Sequence, residues 1–210
     1  MPQRLLLFGG SFNPIHNGHL AIARSVAEQI AAERIILIPC ANPPHKSGRK
    51  LAPAADRLEM CRLAVAGDRR FEIDNWETRQ SGPNYTLLTI KHYRESSPPD
   101  ATIFWLIGMD SLRDLPTWYR IGELASLCTL VTAGRPGIEK PDLGELARLV
   151  QPTDLKRISD HILETPLVPI SATDIRRLAS AGATIADLVP AAVEKYIREK
   201  GLYNGPDSTS

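Results

Sequence analysis

Two histidines three residues apart, His16 and His19, follow the glycine pair Gly9 and Gly10 at the end of a short apolar run. Four successive apolar residues, Leu5 to Phe8, lead into the glycines, and a helical pattern of Leu20, Ala23, Ala27 and Ile30 begins just after His19. The stretch reads as strand, glycine turn and helix. That geometry suits a phosphate: adjacent glycines let a ligand approach the backbone, and the unpaired amides and positive dipole end of the helix favour an anion in front of them. At a helix entry, a spacing of three puts both imidazoles on one side, where the anion would sit. Taken singly, each feature has an ordinary account, a turn for the glycines and a solvated surface position for a histidine. Their conjunction is specific.

A second candidate lies late in the chain. Ile170-Ser171-Ala172-Thr173-Asp174-Ile175-Arg176 starts a helix, and a capping box of Ser171 with Asp174 accounts for both of those residues. It does not account for Arg176. One turn into the helix, that side chain can lean back over the positive N-terminus, an odd place for a cation unless an anion is bound there.

The elements that would position these groups alternate. Arg34 to Pro39 is an apolar strand of the kind buried on both faces of a parallel sheet. Residues 41–50 follow, with the proline, glycine and basic content of an exposed loop; Arg49 and Lys50 read as a solvated tip. For His45 and Lys46, behind the stiff pair Pro43-Pro44, ligand contact and solvation are equal readings. Residues 54–66 form a helix with a structural job, and Phe71 to Asp74 a short strand. The segment from Trp76 to Pro83 is irregular, and a helix from Tyr85 to Arg94 buries Leu88 and Ile90. The amides of Asn84, Tyr85 and Thr86 are a second possible anion site, or Asn84 is an ordinary N-cap.

Thr102 to Ile107 is a buried strand running into Gly108-Met109-Asp110-Ser111, either a helix cap or the place where a ribose or adenine is read. Trp118 is core cover or a stacking face. Leu127 to Ala133 is a further strand, ending at Gly134-Arg135-Pro136-Gly137. Leu143 to Val150 is expected to be helical, Leu167-Val168 a short strand, and Pro190 to Gly201 a last helix closed by its glycine. Alternating strands and helices imply an α/β doubly wound, mostly parallel sheet that binds ligands at the carboxyl ends of its strands. The unusual polar residues fall at those ends, in five stretches that would form one rim. A fold with the paired imidazoles and Arg176 on opposite sides of the molecule would end that case.

Composition sets the outer limits. At 210 residues, 43% hydrophobic and 23% charged, the chain suits one globular domain, expected over 1–204, with a disordered tail at 205–210. A net charge of +1 calls for no nucleic-acid or membrane partner, and the early apolar run is too short for a membrane span, so a cytoplasmic protein is expected. Cys40, Cys61 and Cys128 are far apart and read as buried free thiols, with no metal site among them.

The opening stretch does not fit G-x-x-x-x-G-K-[ST] or G-x-G-x-x-G. It resembles the nucleotidyltransferase superfamily signature G-x-F-[DN]-P-x-H-x-G-H, with Gly10, Phe12, Asn13, Pro14, His16, Gly18 and His19 in place. The superfamily's second motif, I-S-x-T-x-I-R, is met by Ile170, Ser171, Thr173, Ile175 and Arg176. Almost the whole chain, Leu5 to about Tyr203, is similar to the bacterial nicotinate mononucleotide adenylyltransferases. The features of that family in particular are Pro43-Pro44-His45-Lys46, Tyr85-Thr86, Gly108-x-Asp110-Ser111-Leu112 and Leu115-Pro116-x-Trp118; Leu88 stands where the family commonly has Asp.

The resemblance implies a Rossmann-like nucleotidyltransferase fold and catalytic roles for His16, His19, Lys46 and Arg176. It implies ATP contacts from Gly9, Gly10, Ser11, Phe12, His16, His19, Gly108, Asp110, Arg135, Ser171, Thr173 and Arg176. Mononucleotide contacts would come from Asn42, His45, Lys46, Tyr85, Thr86 and Trp118, with the pyridine ring stacked on the tryptophan. The partners implied are ATP and nicotinate mononucleotide, in a possible homo-oligomer, with Mg2+ held mainly by phosphates and water rather than by a protein ligand set. Three other readings compete: a phosphopantetheine adenylyltransferase, a fragment of a class I aminoacyl-tRNA synthetase, and a nucleotide sensor without catalysis. Trp118 with Tyr85-Thr86 speaks against the first, the size of the chain and its lack of a basic stretch against the second, and the intact histidines with Arg176 against the third.

Overall fold

The computed structural model describes residues 2–43, 51–134 and 141–204. Its centre is a six-stranded sheet in the order β3-β2-β1-β4-β5-β6. The strands are β1 (Arg4–Gly10), β2 (Arg34–Pro39), β3 (Phe71–Ile73), β4 (Thr102–Gly108), β5 (Thr129–Gly134) and β6 (Ile162–Glu164). β1 pairs parallel with β4, Leu7 opposite Trp105; β4 pairs parallel with β5, Gly108 opposite Ala133; β5 pairs parallel with β6. The carboxyl ends of these four strands share one edge. The strand order turns at β1, whose neighbours are β2 and β4, and in such a sheet the loop leaving the switch-point strand is where ligands bind.

Why these segments are strands is plain from burial. All six residues of β5 and five of six in β2 are buried, as parallel strands covered on both faces require. The connecting helices are α1 (Asn17–Gln29), α2 (Ala54–Val65), α3 (Thr86–Ser96), α4 (Met109–Asp114), α5 (Ile121–Leu127), α6 (Pro152–Asp160), α7 (Ala172–Ser180) and α8 (Ala191–Glu199). None of the described helices is long and apolar enough to cross a membrane. All three cysteines are free and buried, as expected; burial, with Glu77 beside it, pushes the Cys40 thiol up to about 12.

Packing divides the chain into two units. The first comprises Met1–Gly9, Ile22–Ile36 and Tyr85–Leu167. Within it Arg94 ties the end of α5 to the approach to β4, donating to Leu127 O (2.6 Å) and Ala101 O (2.7 Å). The second comprises Gly10–Ala21, Leu37–Asn84 and Val168–Ser210. Here α2 packs on α8 and β3, and Tyr196 Oη donates to Asp56 Oδ1 at 2.8 Å.

Several elements depart from the sequence expectation. α1 begins at Asn17, so His19 lies in its first turn. Leu88 is 44% exposed, while Leu87, Thr89, Ile90 and Tyr93 form the buried face of α3. The irregular stretch before it contains one 3-10 turn, Glu77–Arg79. Asn84 is not the cap of α3; Tyr85 holds that position. Leu127, expected to open the strand, instead ends a helix, α5, and β5 starts at Thr129. The expected helix from Leu143 to Val150 is a single 3-10 turn, Leu146–Arg148. The edge strand is Ile162–Glu164, and Leu167, expected in a strand, is 66% exposed. The expected tail, 205–210, lies outside the described residues.

Candidate active site

β1 ends at two glycines for two reasons. A Cβ on Gly9 would lie 2.5 Å from the indole of Trp105, so the ring packs where any side chain would go. At Gly10 a Cβ would meet the Phe12 ring at 3.1 Å, and Phe12 itself takes a left-handed φ of 42°. A buried non-glycine residue held there is strained, and the surrounding loop must hold it in place.

The loop then delivers the histidines. The rings of His16 and His19 stack, with centroids 3.6 Å apart and planes 21° from parallel, and the Phe12 ring meets His19 edge-on at 5.2 Å. Each imidazole accepts from the other residue's backbone: His19 N donates to His16 Nδ1 and His16 N to His19 Nδ1, both at 3.3 Å. This reciprocal pairing resembles a capping box: it gives the His16 amide an acceptor and adds a second, longer one to the His19 amide, which also donates to His16 O at 3.0 Å. With each Nδ1 accepting from a backbone N–H, Nε2 is the ring atom left to donate to a ligand. Gly18 completes the spacing, because a Cβ there would come within 3.1 Å of the His16 ring.

Burial lowers the pKa of His16 from 6.5 to about 4, so the ring is neutral at pH 7. The consequence for stability has a definite sign. As pH falls below about 6.5 the unfolded chain takes up a proton at this position and the folded chain does not, so stability is lost progressively until about pH 4. Urea titrations from pH 7.5 to 4.5 should show wild type losing on the order of 2 kcal/mol more than His16→Asn, with no such divergence above pH 7. Parallel curves throughout would mean that the ring protonates in place.

Asn13 holds this loop to three distant segments. Its Oδ1 accepts from Ala52 N and from Tyr203 Oη, each at 3.0 Å, and its backbone carbonyl accepts from Arg176 Nη1 at 3.0 Å. Arg176 is 7% exposed and also donates from Nη2 to Thr173 Oγ1 at 3.3 Å, which is the backward lean over the start of α7 that the sequence suggests. Ser171 caps α7 by accepting from Thr173 N at 3.2 Å; Asp174, expected to return the bond in a capping box, pairs with Arg177 at 3.5 Å instead. Arg57 is 1% exposed and donates to Ser11 O and Cys40 O, both at 2.6 Å, and to Ala52 O at 2.9 Å.

The structure thus brings together Gly10, Ser11, Phe12, His16, His19, Ser171, Thr173 and Arg176 within the second unit. Asn42 belongs to the same unit, its amide donating to Asn84 Oδ1 at 2.7 Å and its Nδ2 to Gly82 O at 3.2 Å. In the first unit, Gly108 and Asp110 are exposed at the end of β4. Tyr85 stacks on Tyr119 at 4.5 Å, with Trp118 next in the chain and Thr86 opening α3. His45, Lys46 and Arg135 lie outside the described residues.

Sequence reading missed Arg57, the Asn13 side chain and Tyr203. Arg57 did leave a trace: it shares the stripe of Cys61 and Val65 on α2, a charge at a core position.

A strand, glycine turn and helix at the switch point of a parallel sheet, with paired imidazoles at the helix start and a remote arginine on α7 hydrogen-bonded to the loop before them, is the arrangement of the nucleotidyltransferase class. The sequence model of the family described as cytidylyltransferase-like matches residues 7–178. Among curated proteins, one named "Probable nicotinate-nucleotide adenylyltransferase" from Synechococcus sp. (strain JA-2-3B'a(2-13)) is 40% identical over 205 residues, covering 97% of this chain and 98% of its own. Another of that name, from Thermomicrobium roseum, is 42% identical over 201 residues, covering 96% and 92%. A solved structure of Plasmodium falciparum nicotinic acid mononucleotide adenylyltransferase complexed with NaAD has a TM-score of 0.73 at 18% identity, covering 96% of this chain and 98% of its own, and shares the fold. The chain belongs to the cytidylyltransferase-like family and, within it, to the nicotinate-nucleotide adenylyltransferases.

Proposed function

We propose that this chain, acting through residues 1–204 as its catalytic domain, transfers the AMP moiety of ATP to nicotinate mononucleotide, giving deamido-NAD and pyrophosphate in NAD biosynthesis. One observation carries this reading: the Arg176 guanidinium, from far along the chain, is hydrogen-bonded to the backbone of the loop that bears the paired imidazoles. The relatives' names supply the substrates.

The chemistry needs no general base. The attacking group is a phosphate oxygen of the mononucleotide, already anionic near neutral pH, and it attacks the α-phosphorus in line while the bond to pyrophosphate breaks. Positioning and fixed electrostatics supply the rate. In this reading the α-phosphate rests on the turn after β1, and the Nε2–H donors of His16 and His19 meet oxygens whose charge rises as pyrophosphate leaves. A neutral imidazole at His16 suits that task, since it donates without a proton having to move. Arg176, Ser171 and Thr173 hold the β- and γ-phosphates, with Lys46 as a further cation. Tyr85, Thr86 and Trp118 are assigned to the pyridine ring and its carboxylate, and Asn42 and His45 to the mononucleotide.

The donors gathered around the histidine loop are imidazoles, amides and guanidinium, which suit anions; no cluster of three or more His, Cys, Asp or Glu that could hold a metal occurs among the described residues. Mg2+ fits this arrangement as an ion held by the triphosphate oxygens and water. Bound so, it would neutralise charge on the departing pyrophosphate.

The test is the acceptor. Pyrophosphate release from ATP should be fastest with nicotinate mononucleotide, compared with nicotinamide mononucleotide and phosphopantetheine. A preference for phosphopantetheine would move the chain to a sister activity, and tight ATP binding without release would make it a sensor.

A further inference from the structure

The chain reverses sharply after α8, and the way it does so has a functional reading. Leu202 N donates to Ile197 O (3.0 Å) and Gly201 N to Arg198 O (3.2 Å), with Gly201 at φ 60°. These two bonds and the left-handed glycine are the Schellman closure of a helix. Tyr203 then also takes a left-handed φ, 68°, which is costly for a residue with a bulky side chain. The result is a phenol 8% exposed whose hydroxyl donates to Asn13 Oδ1, 190 residues away in sequence.

Asn13 lies within the stretch that bears the imidazoles, three residues before His16. With Ala52 N and Tyr203 Oη both donating to it, the side-chain carbonyl has filled its two acceptor positions, and the orientation of residue 13 is fixed. The backbone carbonyl of the same residue receives Arg176 Nη1, and Thr173 Oγ1 receives Nη2. The aim of the guanidinium is therefore set in part by the group that Tyr203 holds.

We propose that Tyr203 is a positioning residue for adenylyl transfer, acting through Asn13 to aim Arg176 at the polyphosphate of the nucleotide. The proposal rests on the reading of Arg176 given above. The phenol touches no substrate and supplies no proton. Its loss would let residue 13 turn and the guanidinium swing, while the pyridine-binding residues stay as they are.

The experiment is a double-mutant cycle of Tyr203→Phe with Arg176→Lys, read as kcat and KM for each substrate, with the melting temperature followed in parallel. Tyr203→Phe keeps the ring and its burial. It should lower kcat/KM for ATP by roughly three- to tenfold, the scale of one neutral hydrogen bond, and leave KM for nicotinate mononucleotide unchanged. In the Arg176→Lys background the same change should cost less than about twofold, because the group it positions is gone. An undiminished cost in that background, an equal loss toward both substrates, or no kinetic effect would overturn the proposal. Wild-type turnover of Arg176→Lys alone would instead remove the reading of Arg176, and the inference with it.

Discussion

His19→Ala will lower turnover by about two to three orders of magnitude, the scale for losing one preorganised donor to charge that develops in the transition state. The structure makes this variant sharper than a simple deletion. His19 Nδ1 accepts from His16 N, and the two rings stack at 3.6 Å, so alanine removes one donor and also frees the amide that orients its neighbour. His19→Asn separates the two effects. Its side-chain carbonyl can take the His16 amide while its –NH2 group is misplaced for the phosphate, so it should restore stability and little of the rate. Single-turnover measurement with radiolabelled ATP, alongside thermal melts of both variants, checks the pair. Near-normal chemistry in His19→Ala would show that His19 has been given the wrong role.

What could be read from the sequence, and what could not, divides along physical lines. β1, β2 and β4 were legible because a strand covered on both faces must be apolar at almost every position. α5 escaped because its seven residues, Ile121–Leu127, make barely two turns and include Gly122, Glu123 and Ser126, too short and too mixed a stretch for a helical period to show. α6 is mostly polar, with only the proline at its start to announce it. β6 has three residues, too few for any period, while the apolar pair Leu167-Val168 looked like the strand it is not. The site shows the same division. His16, His19 and Arg176 stood out because their types and local spacing imply chemistry. Asn13, Arg57 and Tyr203 act by buried hydrogen bonds between segments far apart in the chain, and no local pattern encodes such a partner.

Arg57 provides the larger test of that hidden layer. Burial lowers its pKa from the ordinary guanidinium value, and its three hydrogen bonds run to the carbonyls of Ser11, Cys40 and Ala52. Two opposing effects decide what Arg57→Met will do. Methionine of similar length removes a buried cation, recovering a desolvation cost of several kcal/mol. Against this, three carbonyls lose their donor, each at about 1 to 3 kcal/mol if water cannot replace it. The carbonyls should win, because they belong to backbone that cannot turn away without moving the loops after β1 and β2. A net loss of about 2 to 4 kcal/mol follows, or roughly 5 to 15 °C in melting temperature for a chain of this size. Arg57→Lys should recover most of it. One ammonium can serve Ser11 O and Cys40 O, which share Nη1, but cannot also span to Ala52 O, which Nε serves. Urea unfolding with an unchanged m-value would read both differences as stability. A methionine variant as stable as wild type would mean that the three carbonyls find other partners and that the guanidinium does not hold the loops.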